Sequence, residues 1–227
     1  MNDPFITRTT TRRSLVFAVA GAAAASAAAL ALPALASSRR ALAPMTDGPF
    51  YPSGAWRAQW SDWDADLTRV QRGNEVLQAR GEGLGLSGRV ADVNGRVIDN
   101  AAVEIWQCDT MAVYRHPGGG MQPGRFDEGF QGFGMSRSAA DGAVRFRTIK
   151  PVAYPGRTPH IHVKLRHASF GELTTQLFIA GDAGNARDFL WRQLGADDRT
   201  ALEMKLAPAP ADSGLRWLAA HTLTVPA

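Results

Sequence analysis

The feature that most constrains this chain is a series of short strand-like segments, separated by turn signals, that fills its second half. Leu84–Val93, Ala101–Cys108, Val144–Ile149, His160–Leu165, Leu173–Ile179 and Leu215–Val225 have strand length and apolar character. Asn94-Gly95 and Asp141-Gly142 read as hairpin turns, because both residue types tolerate positive φ. The 23 glycines and 13 prolines suit a chain with many turns. Short strands at such close spacing predict an all-β fold, a β-sandwich core with short helices and long loops. A short helix is expected over 186–194. Upstream, Trp56, Trp60, Trp63, Leu67 and Val70 fall at helical intervals of 4-3-4-3, although Asp62, Asp64 and Asp66 fit an extended, capped segment equally well. Residues 37–55, with Pro44, Gly48, Pro49 and Pro52, read as irregular. The expected division is an irregular N-terminal arm over 37–80 and a sandwich domain over 81–227.

The first 36 residues are of another kind. Arg12-Arg13-Ser14-Leu15 opens an Ala-rich apolar run that ends at Ala34-Leu35-Ala36, a small-x-small cleavage pattern. A charged start, an apolar middle and a small-residue end make a signal peptide. The arginine pair points to the twin-arginine route, which carries proteins already folded. The run is long enough to span a bilayer, so an uncleaved anchor is the competing reading. With cleavage, no stable membrane span is left, and the mature chain is expected in the periplasm or outside the cell.

Without its leader the chain carries 22 Lys+Arg against 20 Asp+Glu. No basic block is present to track a phosphate backbone, so nucleic acid is not an expected partner. Cys108 is the one cysteine, so no disulfide can close within the chain and the fold relies on its core.

Pro159-His160-Ile161-His162-Val163 is the strongest local signal for chemistry. On a strand, residues i and i+2 project from one face, so both imidazoles can reach one metal, while Ile161, Val163 and Leu165 pack on the other. Two histidines with only structural roles fit this pattern too. The chain has three tyrosines. Tyr154 lies six residues before His160 in a stiff loop bearing Pro151, Pro155, Gly156 and Pro159. Tyr114 lies just past the end of the Ala101–Cys108 segment. Taken singly, each reads as an amphipathic aromatic with a hydrogen-bonded hydroxyl. No carboxylate stands close to the histidines for a two-His-one-carboxylate iron site. A lone cysteine does not make a structural zinc site, and no Gly-x-Ser-x-Gly elbow is present. Two phenolates and two neutral imidazoles form a donor set suited to Fe(III).

In order, Asp47-Gly48-Pro49-Phe50-Tyr51, Gly88-Arg89-Val90, Val103-Glu104-Ile105-Trp106-Gln107, Tyr114, Thr148-Ile149-Lys150-Pro151, Tyr154-Pro155, Arg157-Thr158-Pro159-His160-Ile161-His162 and Gln176-Leu177-Phe178 span about residues 46–194. Through them the chain resembles the intradiol ring-cleavage dioxygenases, especially the protocatechuate 3,4-dioxygenase type. The resemblance implies one Fe(III) per chain, held by Tyr114, Tyr154, His160 and His162. It implies cleavage of a catechol-type diol by O2 between its hydroxylated carbons, giving a muconate-type dicarboxylate. Tyr154 would leave the metal and accept a proton, Arg157 would stabilise negative charge on the ring, and Gln176 would orient the diol. The stretch from Tyr154 to His160 is shorter than in the well-known soluble enzymes, and the helical dimer segment of the catechol-cleaving branch has no counterpart. The sequence leaves open which diol is accepted and whether the chain forms a homo-oligomer. An exported binding sandwich without catalysis and a zinc hydrolase using His160 and His162 are the competing readings.

Overall fold

The computed structural model describes residues 40–60, 62–122 and 124–227. The leader expected over 1–36 lies outside them. Two sheets face one another. One has four strands in the order β10 (Ala207–Pro208), β11 (Trp217–Val225), β3 (Gly83–Asp92) and β6 (Ala143–Ile149). The other has five, in the order β5 (Phe133–Arg137), β4 (Ala102–Trp106), β7 (His160–His167), β8 (Gly171–Ile179) and β9 (Glu203–Met204). All six sequence-predicted strands are present. The neighbours are antiparallel except β11 with β3 and β8 with β9.

Alternation decides what each face buries. Ile161, Val163 and Leu165 of β7, Val103 and Ile105 of β4, and Leu173 and Leu177 of β8 point inward. They meet Leu84, Leu86, Val144, Phe146, Ala219 and Leu223 of the opposite sheet in one apolar core. At about 25 cal/mol per Å² of apolar area removed from water, this layer is the main stabilising term. The outer face of the five-stranded sheet carries His160, His162, Lys164, Glu104, Trp106, Thr174 and Gln176. It is also buried, because the chain before β3 and the loops 107–131 and 150–159 lie over it.

Local expectations are corrected or refined at five points. The 4-3-4-3 spacing does not make a long helix: α1 covers only Gly54–Arg57, capped by Ser53. Beyond it the chain is extended, and Asp62, Asp64 and Asp66 accept backbone N–H bonds from Gln71, Asp66 and Thr68. Such side-chain-to-backbone bonds compete with helix. The arm over 37–80 is also not irregular throughout, since β1 (Arg69–Arg72) and β2 (Glu75–Gln78) pair through a turn with Gly73 at φ +57°. Asp141-Gly142 forms a tight turn with Gly142 at φ +78°, but it joins β5 to β6 across the two sheets rather than within a hairpin. At Asn94-Gly95 only Gly95 has positive φ, and the returning arm makes only the isolated bridge Ala91–Val97. The helix expected over 186–194 is a 3-10 turn, Asn185–Arg187, followed by α2 (Phe189–Gln193). A further helix, α3 (Ala196–Leu202), follows.

Candidate metal centre

The register of three strands sets the floor of the site. Trp106 of β4 lies opposite His162 of β7, and His162 lies opposite Gln176 of β8. Directly opposed residues share a face, so these three form one rung on the outer side of the sheet. Trp106 stacks on the His162 ring at 4.6 Å and 14°. His160 is two residues away on the same face, with its ring centroid 4.9 Å from that of His162.

The tyrosines arrive from two loops. Tyr114, 3% exposed, is held by Phe50, whose ring stacks on it at 4.7 Å. Tyr154 opens the turn Tyr154-Pro155-Gly156-Arg157, closed by Arg157 N–H to Tyr154 C=O at 2.8 Å. Proline second and glycine third, with Gly156 at φ +82°, are what a type II turn requires. This turn brings Arg157 back beside the phenol it follows. Ring centroids of Tyr114 and Tyr154 are 5.7 Å apart, Tyr114 and His162 6.0 Å, and Tyr154 and His160 5.6 Å. The four side chains therefore converge on one small volume.

The donors fit a hard cation. His160 Nδ1 is 2.6 Å from the Thr158 carbonyl oxygen, which can only accept. The proton therefore sits on Nδ1, and the Nε2 lone pair faces the Tyr114 hydroxyl at 3.3 Å. Burial, with Arg157 adding to it, pushes the His160 pKa down to about 4, and burial with His160 adjacent holds His162 well below its ordinary range. Both imidazoles are neutral at pH 7, as metal ligands must be. Burial, with Tyr154 alongside, raises the Tyr114 phenol well above its ordinary value. Its phenolate form therefore requires a strong positive charge at the oxygen. Among the described residues no three of His, Cys, Asp and Glu cluster as a metal site. A zinc centre on His160 and His162 thus lacks a third ligand of that kind among the described residues, and the phenols of Tyr114 and Tyr154 stand beside the two imidazoles.

Arg157 and Gln176 border the same volume. Arg157 Nε donates to Asp188 at 2.8 Å, Nη2 to Gln176 Oε1 at 2.5 Å and Nη1 to the Tyr154 hydroxyl at 3.4 Å. Gln176 is fully buried, and its Nε2 has no protein partner. A cavity of about 380 Å³, lined by Tyr154, Arg157, Thr158, Gly184, Arg187 and Asp188 among others, opens on the Arg157 side of the site, and Tyr114, His160, His162 and Gln176 do not line it. That volume lies in the range of small-molecule pockets. All six residues picked out of the sequence are thus brought together.

Others were missed. Asp188 caps α2 through Leu190 and Trp191 N–H and also receives Thr158 N–H and Arg157. Burial pushes its carboxyl up, but the Trp191 amide and the Arg157 guanidinium outweigh this and hold it below the usual range. The pattern Asp188 ahead of an apolar helix start was its only sequence signal. Trp106, the platform under His162, stood in a quoted motif without a role.

Comparison with known proteins places the chain in a family. A family model described as Dioxygenase matches residues 47–207. The protocatechuate 3,4-dioxygenase beta chain of Burkholderia cepacia is 37% identical over 129 residues, 52% of this chain and 53% of that one. The 6-chlorohydroxyquinol 1,2-dioxygenase of Cupriavidus pinatubonensis is 30% identical over 158 residues, 61% of this chain and 51% of that one. Among solved structures, the dioxygenase domain of a carbohydrate-binding fusion protein from Streptomyces sp. SirexAA-E superposes with a TM-score of 0.59 at 25% identity. That match covers 82% of this chain and 99% of the domain. The chain belongs to the intradiol dioxygenase family. It spans about half the length of the curated relatives it matches.

Proposed function

We propose that this protein is a non-haem Fe(III) dioxygenase that cleaves a catechol-type aromatic diol with O2 between its two hydroxylated carbons, yielding a muconate-type dicarboxylate. The observation that carries the reading is the convergence of Tyr114, Tyr154, His160 and His162, with neighbouring ring centroids 4.9–6.0 Å apart. These four residues would hold the iron. When bound, it supplies the Lewis acidity that makes the diol acidic and draws electron density from the ring.

The residues around it divide the remaining work. Tyr114 is buried and clamped by Phe50, which suits a permanent ligand. Tyr154 is half-buried and lines the open cavity, which suits a side chain whose phenolate oxygen takes a proton from an incoming diol and becomes the neutral phenol. Arg157, its charge oriented by Asp188, presents further N–H bonds to negative charge on the ring. Gln176 has its carbonyl engaged by Arg157 and its amide N–H groups unpartnered, so it can donate to a substrate oxygen and fix the ring's orientation.

Export through the leader over 1–36 belongs to the same reading, and N-terminal sequencing of the exported chain checks it. The central test uses colour and oxygen. Iron-loaded protein should show a strong visible tyrosinate band and take up O2 with at least one of catechol, protocatechuate and hydroxyquinol. Tyr114→Phe should alter the band, and His160→Ala should lose iron. A colourless protein after iron loading, or a band that Tyr114→Phe leaves untouched, overturns the assignment.

A further inference from the structure

We infer that residues 47–51 are a strap over the metal centre, and that Lys164 and Glu104, which fasten its two ends from beneath, are positioning residues for His162 and Tyr114. This inference takes its meaning for catalysis from the function proposed above, but the strap itself is defined by the protein alone.

Begin with what the strap touches. Gly48, at φ +74°, lies beside His162, where an added Cβ would be in ordinary van der Waals contact with the imidazole Cε1 at 3.5 Å. Phe50 stacks on Tyr114 at 4.7 Å and 21°. Tyr51 packs edge-on against Trp106 at 4.9 Å, and Trp106 is the platform stacked on His162. Gly48, Phe50 and Tyr51 thus lie against His162, against Tyr114 and against the Trp106 ring that stacks on His162.

Both ends of the segment are held by charges on the outer face of the sheet. At the front, both Asp47 oxygens are engaged: Oδ2 by Lys164 Nζ at 2.6 Å and Oδ1 by the Thr174 hydroxyl at 2.6 Å. Lys164 has a side chain only 3% exposed, with Glu172 at 3.3 Å and the Tyr51 ring centroid at 4.0 Å from its nitrogen. At the back, the Tyr51 hydroxyl donates to Glu104 Oε2 at 2.7 Å and accepts from Arg166 at 2.8 Å. Glu104, its side chain 5% exposed, also pairs with Arg57 at 3.0 Å and Arg166 at 2.7 Å. Asp47, Glu104 and Glu172 balance Arg57, Lys164 and Arg166. Glu104 and Lys164 face one another on adjacent strands, one step along from the rung of Trp106, His162 and Gln176.

Lys164 and Glu104 are buried while Asp47, Glu172 and Arg166 reach solvent, and burying two such charges is a poor way to add stability, since apolar residues of similar volume often do as well. What it does well is fix one arrangement, because the two buried charges, Lys164 and Glu104, are costly without these partners. Here the arrangement it fixes is the segment that contacts His162 and Tyr114. Outer residues that orient metal ligands typically change metal affinity by about 10–100-fold when removed.

Two measurements on Lys164→Met test this, one without iron. In the metal-free protein, amide hydrogen exchange at Met45, bonded to the Thr174 carbonyl at 2.7 Å beside the Asp47 anchor, and at Gly48, bonded to the Thr46 hydroxyl at 3.1 Å, should quicken at least tenfold relative to wild type, while amides of β11 keep their rates. In iron-loaded protein, affinity measured against a competing chelator should fall at least tenfold and the visible band should move. Adding Asp47→Asn to Lys164→Met should cause a smaller further loss than Asp47→Asn causes in the wild-type protein, because the two residues share the Lys164–Asp47 contact. Unchanged exchange at the strap, or unchanged affinity and band position in a folded Lys164→Met protein, overturns the inference, whatever the melting temperature does. If Lys164→Met does not fold, Asp47→Asn alone decides: it should raise strap exchange several-fold, and wild-type exchange rates would refute the strap. If the wild-type protein takes up no iron, the dioxygenase reading fails separately, and the exchange measurement still decides the strap.

Discussion

Asp188 governs how much of Arg157 is available for chemistry. Its two oxygens accept four N–H bonds, from Arg157, Thr158, Leu190 and Trp191, and its side chain is fully buried. Asparagine is nearly isosteric but can present only one accepting oxygen and an amide that donates. In Asp188→Asn the amide therefore meets other donors, and the Arg157 guanidinium, 8% exposed, loses its counter-charge. Removing one member of a buried pair costs on the order of 3 kcal/mol, so the denaturation midpoint should drop accordingly. kcat for diol cleavage should fall while the visible band stays, because no ligand to the metal is touched. Wild-type kcat in a folded Asp188→Asn protein would show that Asp188 does not position Arg157. At this scale the candidate centre was largely legible. His-x-His on a strand, tyrosines at loop positions and Arg157 three residues after Tyr154 are local features. Asp188 was not legible, because its importance rests on contacts with residues 30 and 31 positions earlier, and the same holds for Lys164 with Asp47, 117 positions apart.

At the scale of elements, the strands were readable because each buries one face against the opposite sheet, and alternation survives in the sequence at Val103 and Ile105 and at Ile161, Val163 and Leu165. The tryptophan interval misled because spacing cannot distinguish a helix face from loop residues that dock separately. Trp56 donates its indole N–H to the Arg115 carbonyl, whereas Trp63 donates to that of Arg57 and packs on Phe133. Sheet assignment at Asp141-Gly142 was equally hidden, since a tight turn looks the same whether its arms pair or part. The turn Tyr154–Arg157 offers a clean test of how an element sets the site. Gly156 has φ +82°, and a Cβ there would meet nothing within 4 Å. Gly156→Ala therefore adds backbone strain without a clash, about 1–2 kcal/mol for a left-handed L-residue. Thermal melting should register that loss. Because the turn carries both Tyr154 and Arg157, the tyrosinate band should shift as well. Gly156→Asn, a residue that tolerates positive φ, should show smaller changes in both.

For the whole molecule, the sandwich core holds one group whose ionisation bears on stability. His221 of β11 points between the sheets, packed among Leu86, Val103, Val163, Leu177 and Leu223, with its Nε2 buried and unpartnered. Burial pushes its pKa down to about 4 from 6.5, with the Ala201 backbone only partly opposing. The folded state thus prefers neutral imidazole, while the unfolded chain takes up a proton near pH 6.5. As pH falls from about 6.5 towards 4, the unfolded state binds more protons, so stability drops. The contribution of His221 is about 1.4 kcal/mol per pH unit in the middle of that window, and it levels off below about pH 4. His160 and His162 are shifted in the same direction, so wild-type protein alone cannot apportion the slope. Subtraction can. His221→Leu roughly conserves volume in an apolar setting and leaves the site histidines in place. Urea midpoints of the metal-free proteins, measured between pH 4.5 and 7, should converge or reverse in favour of the variant as the pH falls, with the difference in slope equal to about one proton. Parallel stability curves for the two proteins would mean that His221 is not held neutral by the core.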